Sequence, residues 1–254
     1  MLTDTHIHLY ASEFDEDRKV LLEQARENGV HRFFLPNIDR MSIEPMLELE
    51  QHYPDMCFPM MGLHPCYVKE NWQEELAIVE EWWTKRSFCA VGEIGIDLYW
   101  DKTFLAAQQE VFARQIQLAN RVNRPIVIHS RESFAEIMAV LDDHPKSAPQ
   151  GIFHCFSGTV EQAQEVIRRG FYVGIGGVVT FKKSGLDEVV KSIPLEHIVL
   201  ETDGPYLAPT PHRGKRNIPS YLRLVAEKVA ELKNCSVAEV ADITTKNSKD
   251  IFGC

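Results

Sequence analysis

Short apolar, β-branched runs alternate along this chain with amphipathic stretches of helical period. Residues 1–8 (MLTDTHIH) form the first run, and the helix predicted over 13–29 carries Val20, Leu21 and Ala25 on one stripe and ends at Gly29. HRFFLPN (31–37) and CFPMMGLHP (57–65) precede helices predicted near 43–52 and 73–86. AVGEIGID (90–97) leads to a long helix near 103–123, PIVIHS (125–130) to one near 132–143, and GIFHCF (151–156) to one near 159–169. FYVGIGG (171–177) is followed by a shorter helix near 185–192, and HIVLETD (197–203) runs through a Pro-rich loop to a helix near 219–233. Eight such β/α units predict a parallel sheet covered by helices and closed on itself, a (β/α)8 TIM barrel. The alternative, an open doubly wound sheet, usually carries a Gly-rich phosphate loop after strand one, whereas this strand ends in His-x-His. The residues after 236 read as terminal helical turns that cap the barrel, with no chemistry of their own.

Composition sharpens this picture in a few places. No linker or low-complexity stretch divides the chain and 44% of its residues are hydrophobic, so residues 1–254 are expected to form a single domain. A formal net charge of −10 argues against coating nucleic acid through general electrostatics. It does not exclude a nucleic-acid substrate, because a pocket holding divalent ions is locally positive. The six cysteines, Cys57, Cys66, Cys89, Cys155, Cys235 and Cys254, show no CxxC spacing, and reduced thiols are expected. The N-terminus lacks the basic and apolar regions of a signal peptide, and no apolar stretch reaches spanning length. A soluble, cytoplasmic protein with no membrane partner is the expectation.

Six side chains fall at or near the C-terminal ends of the predicted strands: His6, His8, Glu93, His129, His154 and Asp203. In a barrel those ends converge on one face. The i, i+2 spacing of His6 and His8 puts both imidazoles on one side of a strand, where they can chelate an ion or simply hydrogen-bond. Glu93 lies inside an apolar strand between Gly92 and Gly95, where an ionised carboxylate needs a positive partner. That partner is a metal or a core Arg or Lys, and the strand itself offers no basic residue. Asp97 ends the same strand and reads as a turn cap or weaker ligand. Asp203 ranks above Glu201, whose role reads as a structural hydrogen bond deeper in the barrel. Cys155, beside His154, should point away from the pocket.

DTHIHL (4–9), GLHP (62–65), VGEIGID (91–97), IHSRES (128–133), FHCFSG (153–158), GGVVTFKKS (176–184), ETDGPYLAP (201–209) and PHRGKRNIP (211–219) together resemble the TatD family of metal-dependent deoxyribonucleases, within the amidohydrolase-like TIM-barrel superfamily. Tyr10 and Gly204 depart from the usual family residues at positions that are not ligands. The resemblance implies two divalent ions, one held by His6, His8 and Asp203, the other by His129 and His154, with Glu93 bridging both. It implies hydrolysis of DNA or another phosphodiester by a water activated between the ions, with Asp203 as the proton acceptor. Nitrogen and oxygen donors leave Mg, Mn, Zn, Fe and Ni open. His64 and Arg131 are candidate phosphate contacts, against a turn-stabilising His and a helix-start salt bridge to Glu132 or Glu136. Lys182, Lys183, Arg213, Lys215 and Arg216 lie on loops that open to the same face, as do Tyr67, Tyr99, Trp100 and Tyr206, candidates for stacking on bases. Other readings are an amidohydrolase-type C–N hydrolase, an aminoacyl-ester deacylase, and a catalytically silent metal- or nucleic-acid-binding protein. In the common binuclear amidohydrolase a carboxylated lysine stands where this chain has Glu93.

Overall fold

The computed structural model describes residues 1–144 and 151–253. Strands β1 (Leu2–Asp4), β2 (Val30–Pro36) and β3 (Cys57–Met60) pair in parallel, and so do β4 (Val91–Asp97), β5 (Ile126–Arg131), β6 (Gly151–Phe153), β7 (Tyr172–Ile175) and β8 (Ile198–Leu200). Isolated backbone hydrogen bonds close the gaps between the two sheets. Across β3 and β4, Cys89 N–H donates to Pro59 O at 3.2 Å and Met61 N–H to Ala90 O at 3.1 Å. Across β8 and β1, Thr5 N–H donates to Leu200 O at 3.0 Å and Asp203 N–H to His6 O at 2.9 Å. The result is a (β/α)8 barrel, and the open-sheet alternative is excluded by this closure.

Helices α1 (Arg18–Glu27), α2 (Ile43–His52), α3 (Trp72–Lys85), α4 (Leu105–Val122), α5 (Phe134–Asp142), α6 (Val160–Arg168), α7 (Leu186–Ser192) and α8 (Leu222–Lys233) follow the strands in turn. Their periodic apolar faces bury against the outer side of the sheet, as with Leu21, Leu22 and Ala25 of α1 and Val111, Phe112 and Ile116 of α4. Thr159 starts α6 through a reciprocal capping box with Gln162. The first helix begins at Arg18, not near 13, because residues Ser12–Phe14 form a 3-10 turn that buries Phe14. Arg18 then ties the preceding loop down by donating to the carbonyls of Leu9, Tyr10 and Ala11. The helix expected from 219 likewise begins at Leu222, behind a 3-10 turn at Pro219–Tyr221.

Inside the barrel, Phe34, Met60, Ala90, Val127, Ile152 and Val199 form a separate apolar cluster. The terminal segment is one continuous helix, α9 (Val237–Phe252), that plugs this cluster with Ile251 and Phe252. Phe252 stacks on Phe34 at 3.9 Å between ring centres. Asn247 of α9 donates to the carbonyls of Leu195 and Ile198 at the start of β8, and Thr245 to Met1 O, so the helix sits at the N-terminal end of the strands. The opposite end is left for chemistry.

Truncating Phe252 to Ala is expected to lower the unfolding free energy by about 3–5 kcal/mol, since a fully buried aromatic is lost from a closed cluster. Chemical denaturation should read this loss, and a change below about 1 kcal/mol would show that α9 is not a structural plug.

Candidate metal centre

His6 and His8 stand just past β1, in an extended segment that remains wedged between β2 and the chain after β8. Ile7 N–H donates to Phe34 O at 3.1 Å and His8 N–H to Gly204 O at 2.8 Å. The two imidazoles are therefore fixed by strand-like bonding although β1 itself ends at Asp4, shorter than the run 1–8 suggested. Buried Asp4 reinforces this junction by accepting from His6 N–H and from the Thr202 backbone and hydroxyl. Asp203 also lies beyond its strand, which ends at Leu200, and takes a left-handed backbone with φ 58°. Aspartate is among the few residues that tolerate this conformation.

Glu93 occupies the centre of the mouth and is 1% exposed. Its two oxygens face different imidazoles. Oε1 lies 2.8 Å from His129 Nδ1, 3.0 Å from His154 Nε2 and 3.3 Å from His64 Nε2. Oε2 lies 3.0 Å from His6 Nε2 and 3.8 Å from His8 Nε2. Asp203 Oδ1 completes the second side, 3.6 Å from His8 Nε2 and 3.8 Å from His6 Nε2. The core Arg or Lys considered for Glu93 is replaced by this ring of imidazoles. Three overlapping groups have donor atoms close enough to share an ion: His6 with His8 and Asp203, His6 with Glu93 and His154, and His64 with Glu93 and His129.

Other polar groups fix which ring nitrogen points inward. Tyr10 donates its hydroxyl proton to Pro36 O at 2.6 Å, so its oxygen accepts from His8 Nδ1 at 2.9 Å and the His8 Nε2 lone pair is left for the centre. Asp97 Oδ2 lies 2.8 Å from His129 Nε2, turning Nδ1 toward Glu93. Glu201 Oε1 lies 3.3 Å from His154 Nδ1 and accepts the Cys155 N–H, so Nε2 faces inward. Asp97 and Glu201 thus support imidazoles instead of joining the three groups, and Cys155 is absent from those groups too. Gly95 makes the β4–β5 approach possible. At φ 140° it lies so close to β5 that a Cβ there would meet His129 O at 2.1 Å.

The charges are strongly coupled. Burial would raise the Glu93 carboxyl, but His154, His64 and His6 and the hydrogen bond from His129 hold it well below the usual carboxylate range. Burial also opposes ionisation of Asp97, which the His129 hydrogen bond nevertheless lowers to about 2. Against their own burial, His129 is raised by Asp97 and Glu93, and His154 is raised well above the ordinary imidazole value by Glu93 and Glu201. His6 is lowered by burial and by its stacked neighbour His154, 3.6 Å away between ring centres. The donor chemistry fits divalent metal: imidazoles and carboxylates, no thiolate, and buried His6 ring nitrogens without a hydrogen-bond partner among the described residues.

The residues expected at the rim have distinct placements. His64 is held by the Cys66 N–H on its Nδ1 and reaches the centre itself, beyond the phosphate contact expected of it. Arg131 forms no ion pair with Glu132 or Glu136; its guanidinium lies over the Tyr99 ring. Lys182 and Lys183 are exposed, and Arg213 stacks on Phe181. Arg216 is not a free phosphate grip, because it pairs with Asp17 at 2.5 Å and donates to Glu13 O. Asn217 is a buried loop anchor that donates to Thr202 O. Cys57, Cys66, Cys155 and Cys235 are free thiols, whereas Cys254 lies outside the described residues.

The profile of the family described as TatD related DNase matches residues 3–253. The chain belongs to the TatD family. It is 42% identical to an uncharacterized metal-dependent hydrolase, YabD, of Bacillus subtilis, over 99% of each chain. It is 31% identical to the 3'-5' ssDNA/RNA exonuclease TatD of Escherichia fergusonii, over 98% of each. The crystal structure of the TatD homologue YjjV from Escherichia coli superposes with a TM-score of 0.93 at 28% identity, covering all of this chain and 98% of that one.

Metal binding by this TatD member should weaken as pH falls, because ions must displace the protons that the raised His129 and His154 hold. The metal-free stability these two imidazoles contribute runs the other way. It is full below the unfolded value near 6.5 and lost as pH rises through the higher folded values. Calorimetric titration with Mn or Zn in buffers of different ionisation enthalpy should show proton release on binding. Binding without proton release between pH 6 and 8 would contradict the reading.

Proposed function

We propose that this chain is a metal-dependent phosphodiester hydrolase acting on DNA or RNA, in which Glu93 would be common to the donor sets of two divalent ions. The observation that carries the reading is the division of Glu93, whose Oε1 faces His129, His154 and His64 while Oε2 faces His6 and His8. Donor groups gather on both sides of this carboxylate, and a single ion would use only one of the two sets. His6, His8 and Asp203 would hold one ion and His129 and His154 the other, with His64 beside His129 on the second side. Mg, Mn, Zn, Fe and Ni all suit this donor set. Bound here, the ions supply a Lewis acid for a phosphoryl oxygen and acidify a coordinated water.

The side chains then have separate tasks. Asp203 directs Oδ1 toward His6 and His8, which leaves Oδ2 to take the proton of the attacking water and return it to the leaving oxygen. Asp97 and Glu201 keep the His129 and His154 rings in the orientation that offers a lone pair inward. Lys182 and Arg213, exposed on the loops after β7 and β8, would attract flanking phosphates in an otherwise acidic protein. A relative of similar length named as a nuclease of DNA and RNA single strands supports a nucleic-acid substrate. No helix among the described residues is long and apolar enough to cross a membrane. The free thiols of Cys57, Cys66, Cys155 and Cys235 suit a reducing compartment, and the cytoplasm is the location we propose.

Glu93→Ala should abolish nucleotide release and lower the bound metal, whereas Asp203→Asn should cut kcat at least about 100-fold while retaining part of the metal. Oligonucleotide hydrolysis and elemental analysis of each variant check this, and full activity in both would overturn the proposal. Lys182→Ala and Arg213→Ala should raise KM and flatten its dependence on salt. An unchanged salt slope would remove them from the substrate path.

A further inference from the structure

We propose that Tyr99, Trp100 and Arg131 form a stacking platform for the base of the nucleotide next to the bond being cut. The inference rests on the phosphodiesterase reading and adds to it the residues that would recognise the base. Tyr99 and Trp100 are 49% and 70% exposed on the loop after β4, an arrangement that core packing does not explain. Their rings meet at 88° with centres 4.8 Å apart, forming a corner. Arg131, at the end of β5, lays its guanidinium 3.8 Å from the Tyr99 ring centre and 5.3 Å from that of Trp100. Among the described residues no carboxylate pairs with it, unlike Arg86, Arg169 and Arg216, so its charge is available to a phosphate.

The platform is tied to the metal centre through Asp97. Oδ1 of that carboxylate accepts the N–H groups of Tyr99 at 3.0 Å and Trp100 at 3.3 Å, while Oδ2 holds His129 at 2.8 Å. Arg131 is the β5 register partner of Asp97 and lies two residues, about 6.6 Å of strand rise, beyond His129. One buried side chain therefore sets both a candidate metal-holding imidazole and the loop carrying the two rings. A base inside a duplex has both faces covered by its neighbours, whereas a terminal unpaired base can lay one face on Trp100 and offer its phosphate to Arg131.

The test compares oligothymidylates whose terminal nucleotides carry a base with the same strands bearing tetrahydrofuran residues there. The wild-type enzyme should favour the base-bearing strand, and Trp100→Ala should raise KM for it about 5- to 100-fold and erase the preference. Arg131→Gln should reduce the slope of log KM against log salt by about 0.7, the share of one single-strand phosphate. Independently of turnover, terminal 2-aminopurine should be quenched on binding the wild-type protein in the presence of EDTA, and quenched less by Trp100→Ala. Equal quenching by both, no quenching by the wild type, or an unchanged base preference in the variant would overturn the platform. Absence of any phosphodiester cleavage by the wild type would instead sink the functional proposal, and the quenching titration would still decide the platform.

Discussion

Burying the Glu93 carboxylate at 1% exposure would be very costly without positive partners, and every major feature of the mouth can be traced to meeting that demand. The ends of β1, β5 and β6 and the turn after β3 supply imidazoles to its two oxygens, so the carboxylate is held on both sides. Such an arrangement is unfavourable as a purely structural device, because apolar residues of similar volume would pack the same space more cheaply. Its value lies in what the lone pairs can hold. The barrel makes the arrangement possible by bringing residues far apart in sequence to the same end of the sheet.

Around this centre the protein invests further buried polarity in orientation. Tyr10, Asp97 and Glu201 each engage the outward nitrogen of one imidazole, which fixes the ring and raises the basicity of the inward nitrogen. Asp97 has the widest reach, since it also orders the turn that displays Tyr99 and Trp100. At the other end of the barrel, α9 seals the interior with Phe252 against Phe34 and pins β8 through Asn247. Chemistry and sealing are thus separated by the length of the strands, so residues at one end can change with little consequence at the other.

Much of the architecture was legible in the sequence because the apolar runs are short, regularly spaced and separated by helical stripes, a pattern that closes naturally into a barrel. The six polar residues at strand ends were legible for the same reason: a carboxylate such as Glu93 within an apolar run requires a positive partner. Other features depend on relations that no local pattern encodes. The partnership of Asp97 with His129 follows from the β4–β5 register, in which Gly95 faces His129, and that of Glu201 with His154 from the approach of residues near β8 to β6. His64 sits in a loop motif whose sequence equally describes a turn, and only the three-dimensional path brings it to Glu93. Arg216 resembles its basic neighbours in sequence, yet its pairing with Asp17 depends on a contact between segments far apart in the chain.

Anomalous diffraction from crystals grown with Mn tests the central claim most directly. Two peaks about 3.5–4 Å apart, one beside each Glu93 oxygen, are the result expected. A single peak, or manganese bound away from Glu93, would contradict a carboxylate shared between two ions.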